Sequence, residues 1–84
     1  MTWTLEYSQE ADNYLVGNRP YSNDVALAIY RISLSDSGIP DTGAHQLESG
    51  ILMCTLEQHT VVYERIPERQ TLRILVIKPR EEVI

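Results

Sequence analysis

Apolar and β-branched positions concentrate in the last third of the chain. Residues 50–59 contain Ile51-Leu52-Met53-Cys54-Thr55-Leu56, residues 60–66 contain Val61-Val62-Tyr63, and residues 71–79 contain Leu72-Arg73-Ile74-Leu75-Val76-Ile77. The polar pair Gln58-His59 and the segment Pro67-Glu68-Arg69-Gln70 separate them. Short β-branched runs bounded by turn residues predict a meander of three antiparallel strands, the first two joined by a tight hairpin. Period-two alternation puts Leu52, Cys54 and Leu56 on one face and Ile51, Met53 and Thr55 on the other. In the second run Val61, Tyr63 and Arg65 oppose Thr60, Val62 and Glu64. In the third, Leu72, Ile74, Val76 and Lys78 oppose Arg73, Leu75 and Ile77. Both faces of this last run are apolar, so it is expected to be the central strand. Glu64 and Arg73 are expected as cross-strand neighbours in an ordinary surface ion pair.

Upstream, Trp3-Thr4-Leu5-Glu6-Tyr7 alternates apolar and polar, which predicts a strand with Trp3, Leu5 and Tyr7 facing the core. Ser8 stands where a helix N-cap belongs, and Glu10 and Asp12 follow in the first turn. Ala11, Tyr14 and Leu15 fall at helical spacing, and Gly17 is expected to end this short helix in a left-handed conformation. After the turn Gly17-Asn18-Arg19-Pro20, Ser22 or Asn23 caps a second helix. Val25, Ala28, Ile29 and Ile32 form one apolar stripe, with Leu27, Tyr30 and Leu34 beside it. So wide an apolar face is expected to pack on a sheet and the first helix, or on a partner. Gly38, Ile39 and Pro40 stop the helix. Residues 40–50 read as a loop with one buried anchor, Leu47. The resulting fold class is α+β: a small twisted antiparallel sheet with an N-terminal helical pair packed on one face, in the order β-α-α-β-β-β.

Length changes little in this picture: 84 residues make a single domain, 1–84, with a small core. Charge changes more. The net charge is −5, which argues against general affinity for nucleic acid. Its distribution is uneven. Residues 1–58 carry Arg19 and Arg31 against eight carboxylates, whereas residues 59–80 carry Arg65, Arg69, Arg73, Lys78 and Arg80 against Glu64 and Glu68. The basic third is either a solvated mixed surface or a patch on the sheet that faces an anionic partner. The single cysteine, Cys54, excludes an intramolecular disulfide framework and suits a reducing compartment. Cys54, His45, His59 and the carboxylates lack the close spacing of a metal site, so neither metal nor cofactor is expected. The chain has no long apolar run and no basic-then-apolar leader, so a cytoplasmic protein without a membrane partner is expected.

Taken in order, Trp3 to Ser8 with Ala11, then Pro40 to Gly43, Leu47 and Gly50, then His59-Thr60-Val61-Val62-Tyr63 and Leu72 to Lys78 form a pattern. It resembles the RelE/ParE superfamily of bacterial type II toxins across nearly the whole chain. The resemblance implies a toxin neutralised by a cognate antitoxin. It also implies one of two targets: mRNA on the ribosome, cut by a RelE-like endonuclease, or DNA gyrase, inhibited by a ParE-like member. RNA cleavage needs a base for the ribose 2′-hydroxyl, cations for the developing phosphate charge and an acid for the leaving oxygen.

Candidates for that work are His59, Arg73 and Arg80 as catalytic residues, with His45, Arg65 and Lys78 as RNA-binding residues. Glu48 lies in the same loop as His45. Val25, Ile29 and Ile32 are candidates for contact with the antitoxin. Each has a plainer reading: His59 as a hairpin-turn residue, Arg73 paired with Glu64, and Arg80 on a solvated tail. The chain departs from the nuclease pattern at Thr60, where an arginine commonly stands, and at Met53, Cys54 and Thr55. It departs again at His45 and Gln46, where the loop often carries lysine, and it lacks a terminal tyrosine. A non-catalytic interaction module on the toxin fold, or an unrelated small α+β domain, therefore competes with the enzyme.

Overall fold

Ser8 links the helical and sheet parts of the chain. In the computed structural model, which describes residues 2–80, its hydroxyl accepts from the Ala11 amide and donates to the Leu75 carbonyl at 2.6 Å. One side chain thus caps a helix and holds a distant strand. The described elements are β1 (Thr4–Tyr7), α1 (Gln9–Gly17), α2 (Asn23–Ser33), β2 (His45–Glu48), β3 (Ile51–Leu56), β4 (His59–Ile66) and β5 (Thr71–Pro79), with a 3-10 turn at Pro67–Arg69 before β5. They make an α+β domain with one five-stranded sheet in the order β1-β5-β4-β3-β2. Among the described residues no helix is long and apolar enough to cross a membrane.

The meander of β3, β4 and β5 is present and antiparallel. Three features differ from the expectations. The sheet is mixed, because β1 pairs with β5 in parallel. β5 thus has two hydrogen-bonded neighbours, β4 on one edge and β1 on the other. It is therefore an interior strand, but the central strand of the five is β4 and not β5 as expected. Residues 45–48 form an edge strand, not a loop, and Leu47 is 49% exposed instead of buried. A register irregularity between Gln46 and Glu48 breaks the regular pairing of this edge, which protects a free edge from adding another chain.

The third difference lies inside β5. Val62 pairs with Val76 while Tyr63 pairs with Ile74, so Leu75 is an extra residue in the ladder. This bulge shifts the alternation by one. Leu72, Ile74 and Ile77 share the core face and are buried, whereas Val76 and Lys78 join Arg73 on the outer face. Without the bulge Lys78 would share the face of Leu72 and Ile74. Ser8 satisfies the carbonyl of the bulged residue.

Helix α1 begins as expected but ends differently, whereas α2 lacks the expected side-chain cap and ends at Ser33, short of Gly38. Gly17 is the last residue of α1, and the cap is Asn18 at φ −121°, outside the left-handed region. The Asn18 side-chain amide donates to the Tyr14 carbonyl instead, which satisfies a helix-end acceptor. Ser22 precedes α2 without a side-chain cap; its hydroxyl donates to the Leu15 carbonyl and ties the two helices together. The buried cluster takes Ala11 from α1 and Val25, Ile29 and Ile32 from α2. Trp3 and, from the sheet, Cys54, Val61, Tyr63, Leu72, Ile74 and Ile77 complete it. Leu5 and Tyr7 pack against it from β1.

The β3–β4 hairpin turns through Glu57 and Gln58 alone, with φ of 48° and 65°. Positive φ at both positions is the hand that matches strand twist, but neither residue type favours it. The double variant Glu57→Asn/Gln58→Gly is expected to raise the unfolding free energy by about 1 kcal/mol. Urea denaturation measures this, and an unchanged midpoint would show that the turn stores no strain.

Candidate functional site

The tight turn sets His59 as the first residue of β4, on the core face with Val61 and Tyr63. Its side chain is 0% exposed. Nδ1 lies 2.8 Å from the Glu57 carbonyl oxygen and Nε2 2.8 Å from the Tyr14 hydroxyl. A carbonyl only accepts, so Nδ1 carries a hydrogen, and in the neutral ring Nε2 accepts from the Tyr14 O–H. The Tyr14 ring meets the imidazole edge-on at 5.5 Å between centroids, and Tyr21 lies tilted over it at 4.8 Å. A general acid or base needs a nitrogen within reach of a substrate proton. Both nitrogens of His59 are engaged inside the fold. The residue is therefore neither an open catalyst nor merely a turn residue; it is a buried link between β4 and α1.

The expected cations are dispersed. Arg73 sits on the outer face opposite Glu64, as its register predicts, and makes ion pairs with Glu6 at 3.3 Å and Glu64 at 3.6 Å. Glu6 also pairs with Arg69 at 3.1 Å. Two carboxylates therefore compete with any phosphate for Arg73. Arg65 lies on the core face, donates from Nε to the Ser37 carbonyl at 2.7 Å, and stacks over the Trp3 ring at 4.8 Å. Its expected contact with RNA would require giving up both. Arg80 is exposed, and its backbone N–H donates to the Gln58 carbonyl.

Lys78 is exposed on the outer face next to Thr60. His45 is exposed at the start of β2, paired with Met53, and lines an open groove of about 590 Å³ with Thr42, Gly43, Ala44, Met53, Cys54 and Thr55. Register places His45 and Lys78 three strands and one row apart, about 16 Å at ordinary strand spacing. Between them run the rows Met53-Val62-Val76 and Thr55-Thr60-Lys78 across β3, β4 and β5. The outer sheet face thus combines a half-buried apolar strip with threonines and one lysine. It suits the binding of an extended partner better than chemistry on one phosphate.

The expected antitoxin contacts Val25, Ile29 and Ile32 are 0%, 1% and 7% exposed. They belong to one buried cluster with Val61, Tyr63, Leu72 and Ile74, so the fold itself closes them to a partner. The large apolar side chains that α2 and its C-cap residue expose are Leu27, Tyr30 and, at the cap, Leu34. The sequence reading missed three participants: Glu6 as partner of Arg73, and Tyr14 and Tyr21 around His59. Tyr14 carried a signal, since a tyrosine on an apolar helical stripe needs a partner for its hydroxyl. Among the described residues no three His, Cys, Asp or Glu side chains converge as a metal site.

Burial pushes the Cys54 thiol up from its ordinary 9.0 to about 11. Burial also raises Tyr63, and raises Tyr7 with help from the charge of Asp12.

Two outcomes are expected. His59→Ala lowers the unfolding free energy by about 3 kcal/mol in urea denaturation, since it opens a cavity and removes two hydrogen bonds that link β4 to the Glu57 carbonyl and to α1. An open catalytic histidine would leave stability within about 0.5 kcal/mol. The folded chain keeps the Cys54 proton that the unfolded chain releases, so stability falls as pH rises from 9.0 to about 11. Denaturation of Cys54→Ala across that window should show a shallower loss in its lower half, before the tyrosines contribute; a slope equal to wild type would contradict the assignment. Comparison with known proteins finds no matching family model, no matching curated protein and no matching solved structure.

Proposed function

We propose that this chain is a RelE/ParE-like toxin component of a bacterial type II toxin–antitoxin pair, and that it acts in the cytoplasm by binding its target instead of cutting RNA. The order of strand, two helices and antiparallel meander supports the family reading, with β2 as an additional edge strand. The buried cluster shared by both helices and one sheet face supports it as well.

The observation that carries the non-cleaving mode is the fate of the two central catalytic candidates. His59 is sealed between Glu57 and Tyr14, and Arg73 is neutralised by Glu6 and Glu64. Loss of one transition-state cation commonly costs about 10² to 10³ in rate. Thr60 in place of the commonly found arginine adds to that loss. The outer sheet face, from His45 across Met53, Val62 and Val76 to Lys78, is the surface proposed to meet the target, whether gyrase or another partner. A cognate antitoxin would neutralise it by covering the same face.

Induced expression tests the reading. The expected result is growth arrest without ribosome-dependent mRNA cleavage, relieved by the cognate antitoxin. A Met53→Glu/Val62→Lys variant, altered only on the outer face, should remain folded and lose the arrest. Cleavage by the wild type that disappears in an Arg73→Ala/Arg80→Ala variant would establish the endonuclease instead. Soluble, folded protein that causes no arrest would remove the toxin role.

A further inference from the structure

The side of α2 turned away from the core is apolar. Leu27, Tyr30 and Leu34 are 47%, 53% and 49% exposed. With Asn23 they follow the four-three-four spacing of a heptad seam, on the side of the helix opposite Val25, Ile29 and Ile32. Asp24 and Arg31 border this seam on one flank, seven residues and therefore two turns apart. Both are exposed, and neither has an ion-pair partner among the described residues.

We infer that the exposed face of α2 is a docking surface for the same face of a second copy, the two helices running antiparallel about a two-fold axis. Antiparallel helices bring the same flank of each copy together. The register that sets Leu27 against Tyr30 of the second copy leaves Asp24 about 3 Å along the axis from Arg31 of the second copy. The twofold repeats that pair, so both unpartnered charges of each copy are matched. This self-complementarity selects a second copy: a foreign helix would need no opposite charges placed symmetrically about the seam's centre. At 11 residues the helix is short, so the dimer is weak, with dissociation expected in the range of about 10 µM to 1 mM.

Sedimentation equilibrium on the full chain over that concentration range tests the inference, with circular dichroism to verify folding. Wild type is expected to form dimers that weaken as salt rises. Asp24→Arg and Arg31→Asp are each expected to weaken self-association by about tenfold, because each sets like charges together. Mixed one to one, those two variants are expected to associate with each other, since every flank pair is then complementary. Leu27→Ser/Leu34→Ser, altered only at exposed positions, is expected to be a folded monomer. A wild type that stays monomeric throughout the range would overturn the inference, including one that instead binds a foreign amphipathic peptide. Folded charge variants that self-associate like wild type, or that fail to associate when mixed, would also overturn it.

Discussion

Three successive backbone carbonyls hold the helical part of the chain to the sheet. The Asp36 carbonyl accepts from the Trp3 indole, the Ser37 carbonyl from Arg65 Nε, and the Gly38 carbonyl from the Tyr63 hydroxyl at 2.9 Å. Each donor comes from a different level of the fold: the residue before β1, and two positions on the core face of β4. A segment leaving a helix has carbonyls without helical partners, and burying them unpaired would be costly. Here three large side chains resolve the problem at once. The geometry leaves no room for a side chain at Gly38, where an added Cβ would lie 2.9 Å from the Trp3 ring and φ is +70°. Arg65, basic and on a strand, looks like a nucleic-acid contact in one dimension; in three it is a brace.

The Leu75 bulge decides which residues the sheet offers to the outside. It separates Ile77, buried in the core, from Val76 and Lys78 on the outer face. The Glu6, Arg69, Arg73 and Glu64 network lies at one end of that face, where its charges largely cancel. Toward the hairpin end the face keeps Thr55, Thr60 and Lys78 without an opposing carboxylate in register. The sheet is therefore not uniformly basic, although residues 59–80 carry five cations against two carboxylates. Binding at the hairpin end, with apolar contact in the middle, is the mode this distribution favours.

Elements whose partners are local were legible in the sequence. The Ser8 cap, the core stripe of α2, the three-strand meander and the Glu64–Arg73 pair all follow from spacing of a few residues or from one hairpin register. The features that escaped are set by partners far along the chain. Nothing near residues 45–48 signals β2, because it lacks alternation and is defined only by pairing with β3. The parallel pairing of β1 with β5 leaves no local trace. The bulged Leu75 meets Ser8 through its carbonyl, and His59 is in contact with Tyr14 and Tyr21, residues of the helical part. Chemical type does not reveal that His59 and Arg65 spend their hydrogen bonds inside the fold.

The parallel pairing of β1 with β5 has a consequence for the order in which the chain acquires its shape. Ser8 and Leu75, which it brings together, are 67 residues apart. Loop closure over such a distance is slow compared with closing the Glu57-Gln58 hairpin. On the ribosome, β1 emerges long before its partner exists. The meander can assemble first, and until β1 docks, β5 is a nine-residue apolar edge with its hydrogen-bonding groups open. The interval between those two events is when a nascent chain is most exposed to pairing with a neighbour. The fold thus concentrates its aggregation hazard in one late step, the arrival of its first strand.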